Sequence, residues 1–325
     1  MPFQDLPKRP KAVLPKWPLP SQKKEEVKYV RKECRGVPQN CVHDEDALNN
    51  LIETFETRDD DVFICTYVKS GTTWTQQIIN LLQHKGEEPK ISYAEAVPWL
   101  EAALFGGYLA EREATNWTLE KINANTERRF FKTHANLKDI PCGKAPESGA
   151  LMRSSTDVIY VCRNPKDVCV SLQHHAKNKP QFEYNGDLDD MLRFFAEGRC
   201  ENGSWFDHVL EWYEASKADP EHVMFLRYED MLAEPAKHVE MIADFTGIKT
   251  TPEIVEKVVA ASSISAMKNS SSANTMKHFN HLRKGGSGGW RDVFTVRQSE
   301  TLDELYLEQM RDTGLEMDFG EGLNM

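Results

Sequence analysis

The stretch Val62-Phe-Ile-Cys-Thr-Tyr-Val-Lys-Ser-Gly-Thr-Thr-Trp-Thr-Gln-Gln-Ile-Ile-Asn-Leu-Leu82 decides the fold. Val62 to Tyr67 is a short, mostly apolar run of β-forming residues, and Trp74, Ile78, Leu81 and Leu82 recur at helical spacing, so the unit reads strand, loop, helix. The loop is Lys69-Ser70-Gly71-Thr72-Thr73. A tight turn from a buried strand into a helix gathers unpaired backbone N–H groups and the positive end of the helix dipole at one spot, which favours an anion. Lys69 adds a full charge there, and the hydroxyls of Ser70, Thr72 and Thr73 add donors. The order differs from the common nucleotide loop, Gly-x4-Gly-Lys-Ser/Thr, because the lysine precedes the only glycine. A Gly-Thr-Thr turn before a helix can also be a cap and nothing more, and this stretch alone leaves that open.

A chain of 325 residues with 40% apolar content can bury a large core, as one large α/β domain or two small ones, the single domain being favoured. The net charge of −11 argues against a general nucleic-acid or anionic-membrane surface, so an anion site has to be built from a few placed cations. Seven cysteines (Cys34, Cys41, Cys65, Cys142, Cys162, Cys169, Cys200) form no C-x-x-C pair and lie partly inside apolar strands, which suits reduced thiols and a cytoplasmic protein. No apolar run approaches the roughly 18 residues that span a bilayer, and no signal-peptide core follows Met1. Neither a nucleic-acid nor a membrane partner is expected.

Residues 1–25 carry Pro2, Pro7, Pro10, Pro15, Pro18 and Pro20, and read as an extended arm ahead of a single domain, 26–325. Helical spacing over 44–57 behind an Asp44 cap, followed by the strand and loop already described, opens a parallel α/β sheet. Arg128-Arg-Phe-Phe-Lys-Thr-His134 is a second short strand ending in a cation and a histidine. Parallel sheets bind ligands beyond the carboxyl ends of their strands, which is where Lys132 and His134 fall. A lone histidine is more often a surface or satisfied core residue. Asp157 to Leu172 repeats the first unit: a strand ends at Arg163, Pro165 suits a first helical turn, Asp167 complements the helix start, and Ser171 follows two turns in. An Arg/Asp pair stabilising a helix start would explain those charges equally well. Helices over Leu188–Glu197 and Ser204–Tyr213, a strand over Val223–Arg227, and helices opened by Pro235 and Pro252 complete the pattern. Arg283-Lys-Gly-Gly-Ser-Gly-Gly-Trp290 puts two cations on a glycine-rich loop, a phosphate-cradling composition that also fits a plain solvated loop. A last helix is expected over Ser299–Thr313, ended by Gly314.

Taken together, these segments resemble the cytosolic sulfotransferase family. Thr66 to Trp74 is similar to its 5′-phosphosulfate loop, with Val68 where the family has Pro, and Lys132-Thr-His134 is similar to its catalytic segment, with Ala135-Asn136 in place of a following proline. Arg163-Asn-Pro-Lys-Asp-Val-Cys-Val-Ser171 is the longest match. Tyr228-Glu-Asp-Met231, the adenine-side segment Ser262-Ser-Ile-Ser-Ala-Met267 and the loop Arg283–Trp290 follow in the family's order, with Ile264 replacing an aromatic ring and Gly289 an aspartate. The resemblance runs from about residue 60 to 315 and implies a P-loop nucleoside-kinase-like fold, a central parallel sheet flanked by helices.

It implies 3′-phosphoadenosine 5′-phosphosulfate as donor, adenosine 3′,5′-bisphosphate as product, and no metal. His134 would be the base on the acceptor, Lys69 would stabilise the leaving oxygen, and Lys132 would support the sulfuryl group. Ser70, Gly71, Thr72, Thr73 and Trp74 would hold the 5′-phosphate and adenine; Arg163, Ser171, Arg283, Lys284 and Gly285 the 3′-phosphate; Tyr228 and Ser262 the nucleoside. Arg291-x3-Thr-Val-x3-Glu300 resembles a dimer-contact pattern, implying a homodimer. Trp99, Ala102 and His175 match positions where phenol- and steroid-sulfating members carry phenylalanines, which implies a more polar pocket for a hydroxylated or nitrogen-containing natural product. A small-molecule kinase of this fold would need Gly-Lys-Ser/Thr after the strand, and a nucleotide-binding protein without turnover would lack Lys69 or His134.

Overall fold

The structure, a computed structural model, describes residues 26–101, 117–140, 156–275 and 282–320. The arm 1–25 and Ala102 lie outside these. Two short strands, β1 (Lys32–Cys34) and β2 (Val37–Gln39), form an antiparallel hairpin, and β3 (Val62–Thr66), β4 (Phe130–Thr133), β5 (Asp157–Cys162) and β6 (Val223–Arg227) form a sheet in the order β4-β3-β5-β6. All three pairings in that sheet are parallel, with Val62 opposite Phe130 and Asp157, and Val158 opposite Val223.

The strands read as continuous apolar runs because both faces are covered. Phe63, Cys65, Phe131, Val158, Tyr160 and Cys162 pack on one side with the helices Pro165–Asn178, Leu188–Ala196, Trp205–Ala218 and Val296–Met310. Val62, Ile64, Phe130, Ile159 and Val161 pack on the other with the helices Thr72–Gln83, Pro235–Phe245 and Pro252–Ala261. The alternation is the two-residue period of a strand made visible. This is the α/β architecture expected, and it brings the carboxyl ends of β3, β4 and β5 to one edge.

Local signals account for the boundaries. Asp44 caps the helix Glu45–Thr54 by accepting from Ala47 N–H at 3.0 Å. β3 stops at Thr66 because Tyr67 already belongs to the turn, its carbonyl accepting from Ser70 N–H at 3.2 Å. The last helix begins earlier than Ser299: Thr295 and Gln298 form a reciprocal capping box ahead of Val296. The β1–β2 hairpin turns through Arg35 and Gly36, both at positive φ (55° and 74°), as a two-residue hairpin requires. Arg35 Nε donates to Asp139 Oδ1 at 2.6 Å and Val30 N–H to Phe182 O at 2.7 Å, fixing the hairpin against the sheet edge where the ligand-facing loops gather.

Candidate active site

Beyond the carboxyl edge lies a cavity of about 560 Å³, and Lys69, Gly71, Thr72, Thr73, Trp74, Lys132, His134, Arg163, Ser171, Tyr228, Ser262, Arg283, Lys284 and Gly285 all line it. So do Trp99 and His175. Ser70 does not; its N–H is used by Tyr67 O within the turn, and its Oγ is buried without a hydrogen-bond partner. It therefore forms the floor of the loop rather than its lip.

The loop is wound for an anion. Lys69 and Gly71 both take positive φ (70° and 110°), and a Cβ at position 71 would come within 2.8 Å of Tyr228 Cδ2, so only glycine fits. The helix Thr72–Gln83 then starts with no side-chain cap and no acidic residue in its first turn, leaving the positive end of its dipole to whatever occupies the cavity. The Lys69 ammonium makes no ion pair among the described residues. Burial, reinforced by nearby Lys179, Lys132 and Arg163, pushes its pKa down to about 7.

His134 follows β4, level with the end of β3. Its Nδ1 lies 2.9 Å from Thr66 O, which fixes the proton on Nδ1 and leaves Nε2 as an acceptor. Burial and then Lys132 hold the imidazole well below its ordinary pKa, so it is neutral. Thr66 Oγ1 is 3.2 Å from Nδ1 and 2.7 Å from Thr72 Oγ1, which ties the histidine to the anion loop. Asn136 sits at φ −62°, the value a proline would hold, so Ala135-Asn136 keeps a proline-like course after the histidine. Lys132 Nζ lies 4.7 Å from the centroid of the Trp99 ring.

Arg163 joins the Lys69–Thr73 loop to the glycine-rich loop. Its guanidinium stacks 4.6 Å from the Tyr228 ring, donates to Gly286 O at 2.8 Å and reaches Lys69 O at 3.4 Å. Asp167 holds the glycine loop from below, accepting from Gly288 N–H at 2.8 Å and Trp290 N–H at 3.1 Å. Gly289, which stands where the resembled family has an aspartate, sits between these two bonds, so the loop is held by Asp167. Lys284 is paired with Asp292 at 3.2 Å, whereas the guanidinium of Arg283 is half-buried and depressed in pKa by burial and by Arg163. Trp74 meets Tyr228 edge to face at 5.3 Å, and Ile264 packs directly on Gly285.

Glu101 lines the cavity too, and so do residues that sequence reasoning missed: Gln39, Asn40, His43, Glu201 and Asn202. Gln39 ends and Asn40 follows a hairpin whose strands are three residues each, too short for a periodicity to register. Burial raises the Glu201 carboxyl and pushes Glu101 up to about 6 and His43 down to about 4. Among the described residues no three His, Cys, Asp or Glu side chains converge to hold a metal ion.

The family model of the sulfotransferase domain matches residues 59–314. The chain belongs to the sulfotransferase family. This sulfotransferase is 33% identical over 309 residues to sulfotransferase 1A1 of Canis lupus familiaris, covering 91% of this chain and 97% of that one. To human sulfotransferase 2B1 it is 35% identical over 294 residues, 85% and 73% of the two chains. The crystal structure of mouse sulfotransferase SULT7A1 complexed with PAP superposes on the sulfotransferase with a TM-score of 0.69 at 28% identity, covering 87% and 95%.

Proposed function

We propose that this enzyme transfers the sulfuryl group of 3′-phosphoadenosine 5′-phosphosulfate to a hydroxyl or amine of a small polar molecule, leaving adenosine 3′,5′-bisphosphate, with His134 as the base. The observation that carries the assignment is the bond from His134 Nδ1–H to Thr66 O, which turns the basic Nε2 to the cavity that Lys69 and the helix start also face. The residues suit that nucleotide. Positive φ at Lys69 and Gly71 and the uncapped helix start form an anion cradle, while Arg163 and Arg283 place two further cations on the same cavity.

When bound, the nucleotide supplies a sulfuryl group whose bond to the 5′-phosphate breaks as the acceptor oxygen or nitrogen bonds sulfur, the electron pair going to the phosphate oxygen. His134 Nε2 takes the acceptor proton. Lys69 and the N–H groups of the loop stabilise the leaving phosphate, and Lys132 the sulfuryl oxygens, as electrostatic groups fixed before reaction. Gly71, Thr72 and Thr73 hold the 5′-phosphate; Arg163, Ser171, Arg283, Lys284 and Gly285 hold the 3′-phosphate, with Lys284 leaving Asp292 to do so; Trp74, Tyr228 and Ser262 hold the nucleoside. Trp99 and His175 bound the acceptor.

Residues 26–325 act as one domain in this reading, in the cytoplasm, where the six free cysteines of the described residues stay reduced. The net charge of −11 favours a small-molecule acceptor over nucleic acid. Among the described residues no helix is long and apolar enough to cross a membrane. A homodimer forms through 291–300, with an altered basis. Arg291 is used internally, donating to Phe319 O at 3.0 Å and Gly320 O at 2.8 Å, so the contact falls to Val293 and Val296.

Thermal shift with adenosine 3′,5′-bisphosphate against ATP tests the assignment. At a hundred times its dissociation constant the bisphosphate adds about 2.7 kcal/mol of stability. Selective stabilisation by the bisphosphate is expected; preference for ATP would overturn it in favour of a kinase of the same fold.

A further inference from the structure

The wall next to the base is built from the hairpin and a tight turn. Asn202, at φ +65°, donates its N–H to Pro38 O at 2.7 Å, and its side-chain amide to His134 O at 2.7 Å and to Gln39 Oε1 at 3.2 Å. Residue 201 is thereby held one position away from a contact with the backbone of the base. Glu201 is only 3% exposed, yet it lines the cavity. Its Oε1 accepts from Asn40 Nδ2 at 2.9 Å, while its Oε2 has no hydrogen-bond partner among the described residues. His175 Nε2 stands 3.4 Å from that oxygen without hydrogen-bond geometry, and burial keeps His175 neutral, so no ion pair answers it.

Two further residues that line the same cavity each hold a buried polar atom in the same condition. Glu101 accepts from Thr133 Oγ1 through one oxygen and leaves the other, buried, without a partner, and Trp99 Nε1 is buried without an acceptor. A buried polar atom left unmatched costs the desolvation of that atom, so such a set is tolerated where a ligand completes it.

The composition of the set selects the ligand. A simple phenol has one hydroxyl, which the base takes, and would lay carbon against both carboxylates. An ammonium would meet cations already present: Lys179 and Lys69 act on Glu201, and Lys132 acts on Glu101. A neutral hydroxyl donates to a carboxylate without that repulsion and can accept from Trp99 Nε1 through its own oxygen.

We propose that the acceptor is a polyhydroxylated small molecule, with one hydroxyl sulfated at His134 and a second donating to Glu201 Oε2. The proposal rests on the sulfotransfer reading above, and Glu201 is its specificity-determining residue.

The test uses the full chain with saturating 3′-phosphoadenosine 5′-phosphosulfate and matched acceptors on two rigid scaffolds, cyclohexanol and decalinol. Each carries a distal hydroxyl, methoxy or ammonium group. The distal hydroxyl is expected to give kcat/KM at least about tenfold above the methoxy compound on one scaffold, because a site built to receive a hydroxyl rejects an analogue lacking it. In Glu201→Ala the ratio falls to about one, mainly through KM; Glu201→Gln, which keeps an acceptor oxygen, retains part of it. Equal rates for hydroxyl and methoxy compounds, a preference for ammonium, or a ratio that survives Glu201→Ala would overturn the proposal. The wild-type comparison stands even where a variant folds poorly. Binding of adenosine 3′,5′-bisphosphate to the same samples separates the two readings: its absence defeats sulfotransfer itself, whereas its presence without the hydroxyl preference defeats only the acceptor class.

Discussion

The imidazole of His134 is locked to Thr66: its Nδ1–H donates to the Thr66 carbonyl at 2.9 Å, so the tautomer is set by main chain that no side-chain substitution can remove. Nε2 is a base without any prior proton shift. Burial and Lys132 hold this group well below its ordinary value, so the base is not lost as pH falls from 8 to 6.5, and the acid limb of the kcat profile lies lower still. His134→Ala should reduce kcat by about 10²- to 10⁴-fold while the dissociation constant of adenosine 3′,5′-bisphosphate, read by calorimetry, changes less than about twofold. Equal loss of both would remove His134 from the role of base.

Lys69 titrates near neutrality when the cavity holds no anion, its pKa being pushed down to about 7. A phosphate beside it favours the charged form. Below about 7 the ammonium is already protonated and nucleotide affinity is flat; above it, binding takes up a proton, and affinity falls by up to about tenfold per pH unit. Calorimetry at pH 8 in buffers of different ionisation enthalpy should register the uptake. Lys69→Arg, charged throughout, should flatten the profile.

Asp167 decides whether the glycine loop is ready for a 3′-phosphate. Its carboxylate receives Gly288 N–H at 2.8 Å and Trp290 N–H at 3.1 Å, with Asn164 Nδ2 at 3.0 Å. Charge-assisted bonds of this kind contribute about 1.5–3 kcal/mol. Asp167→Ala should weaken adenosine 3′,5′-bisphosphate by about ten- to a hundredfold. Adenosine 5′-monophosphate, which lacks the 3′-phosphate, should lose little; an equal loss for both nucleotides would show that the loop is not the cause.

Val296 projects 75% of its surface from the start of the last helix, and Val293 beside it is 38% exposed. Apolar side chains so placed are suited to a twofold contact. Sedimentation should find a dimer that Val296→Asp converts to monomer without loss of secondary structure. A monomeric wild type would remove the segment from that role.

The strand–loop–helix units of this chain were legible because each carries its own period and its own punctuation. β3, β5 and β6 are continuous apolar runs, and Asp44, Pro165, Pro235 and Pro252 mark helix starts that the structure keeps. The cavity residues at the strand ends came with them, since a cation at a strand end followed by a helix start is a local pattern. The rest of the cavity wall was hidden for the opposite reason. Gln39, Asn40, Glu201 and Asn202 come from separate segments joined only by tertiary contacts such as Asn202 N–H to Pro38 O at 2.7 Å, and each looks in isolation like an ordinary polar loop residue. The start of the last helix was legible but misread, because Thr295 and Gln298 spell the capping box that Ser299 does not.

At the amino end of the sheet, far from the chemistry, Arg129 and Asp61 form a pair with side chains 3% and 0% exposed. Arg129 Nε donates to Asp61 Oδ1 at 2.7 Å, its Nη2 donates to Glu56 O at 3.0 Å, and the guanidinium lies 5.3 Å from the rings of Phe55 and Phe131. Asp61 also receives Arg58 N–H at 2.8 Å, and its carbonyl accepts from Asp157 N–H at 3.1 Å, so the pair fastens β3, β4 and β5 where they enter the sheet. Removing one partner strands the other charge in an apolar setting. Asp61→Ala should therefore lower unfolding stability by about 3–5 kcal/mol in urea denaturation, whereas Asp61→Ala combined with Arg129→Met, which leaves no buried charge, should recover a substantial part. Nucleotide affinity of the folded fraction should be unchanged, because the carboxyl ends of the strands are the part that binds. A double variant no more stable than Asp61→Ala would mean that the hydrogen bonds, rather than the uncompensated guanidinium, set the cost.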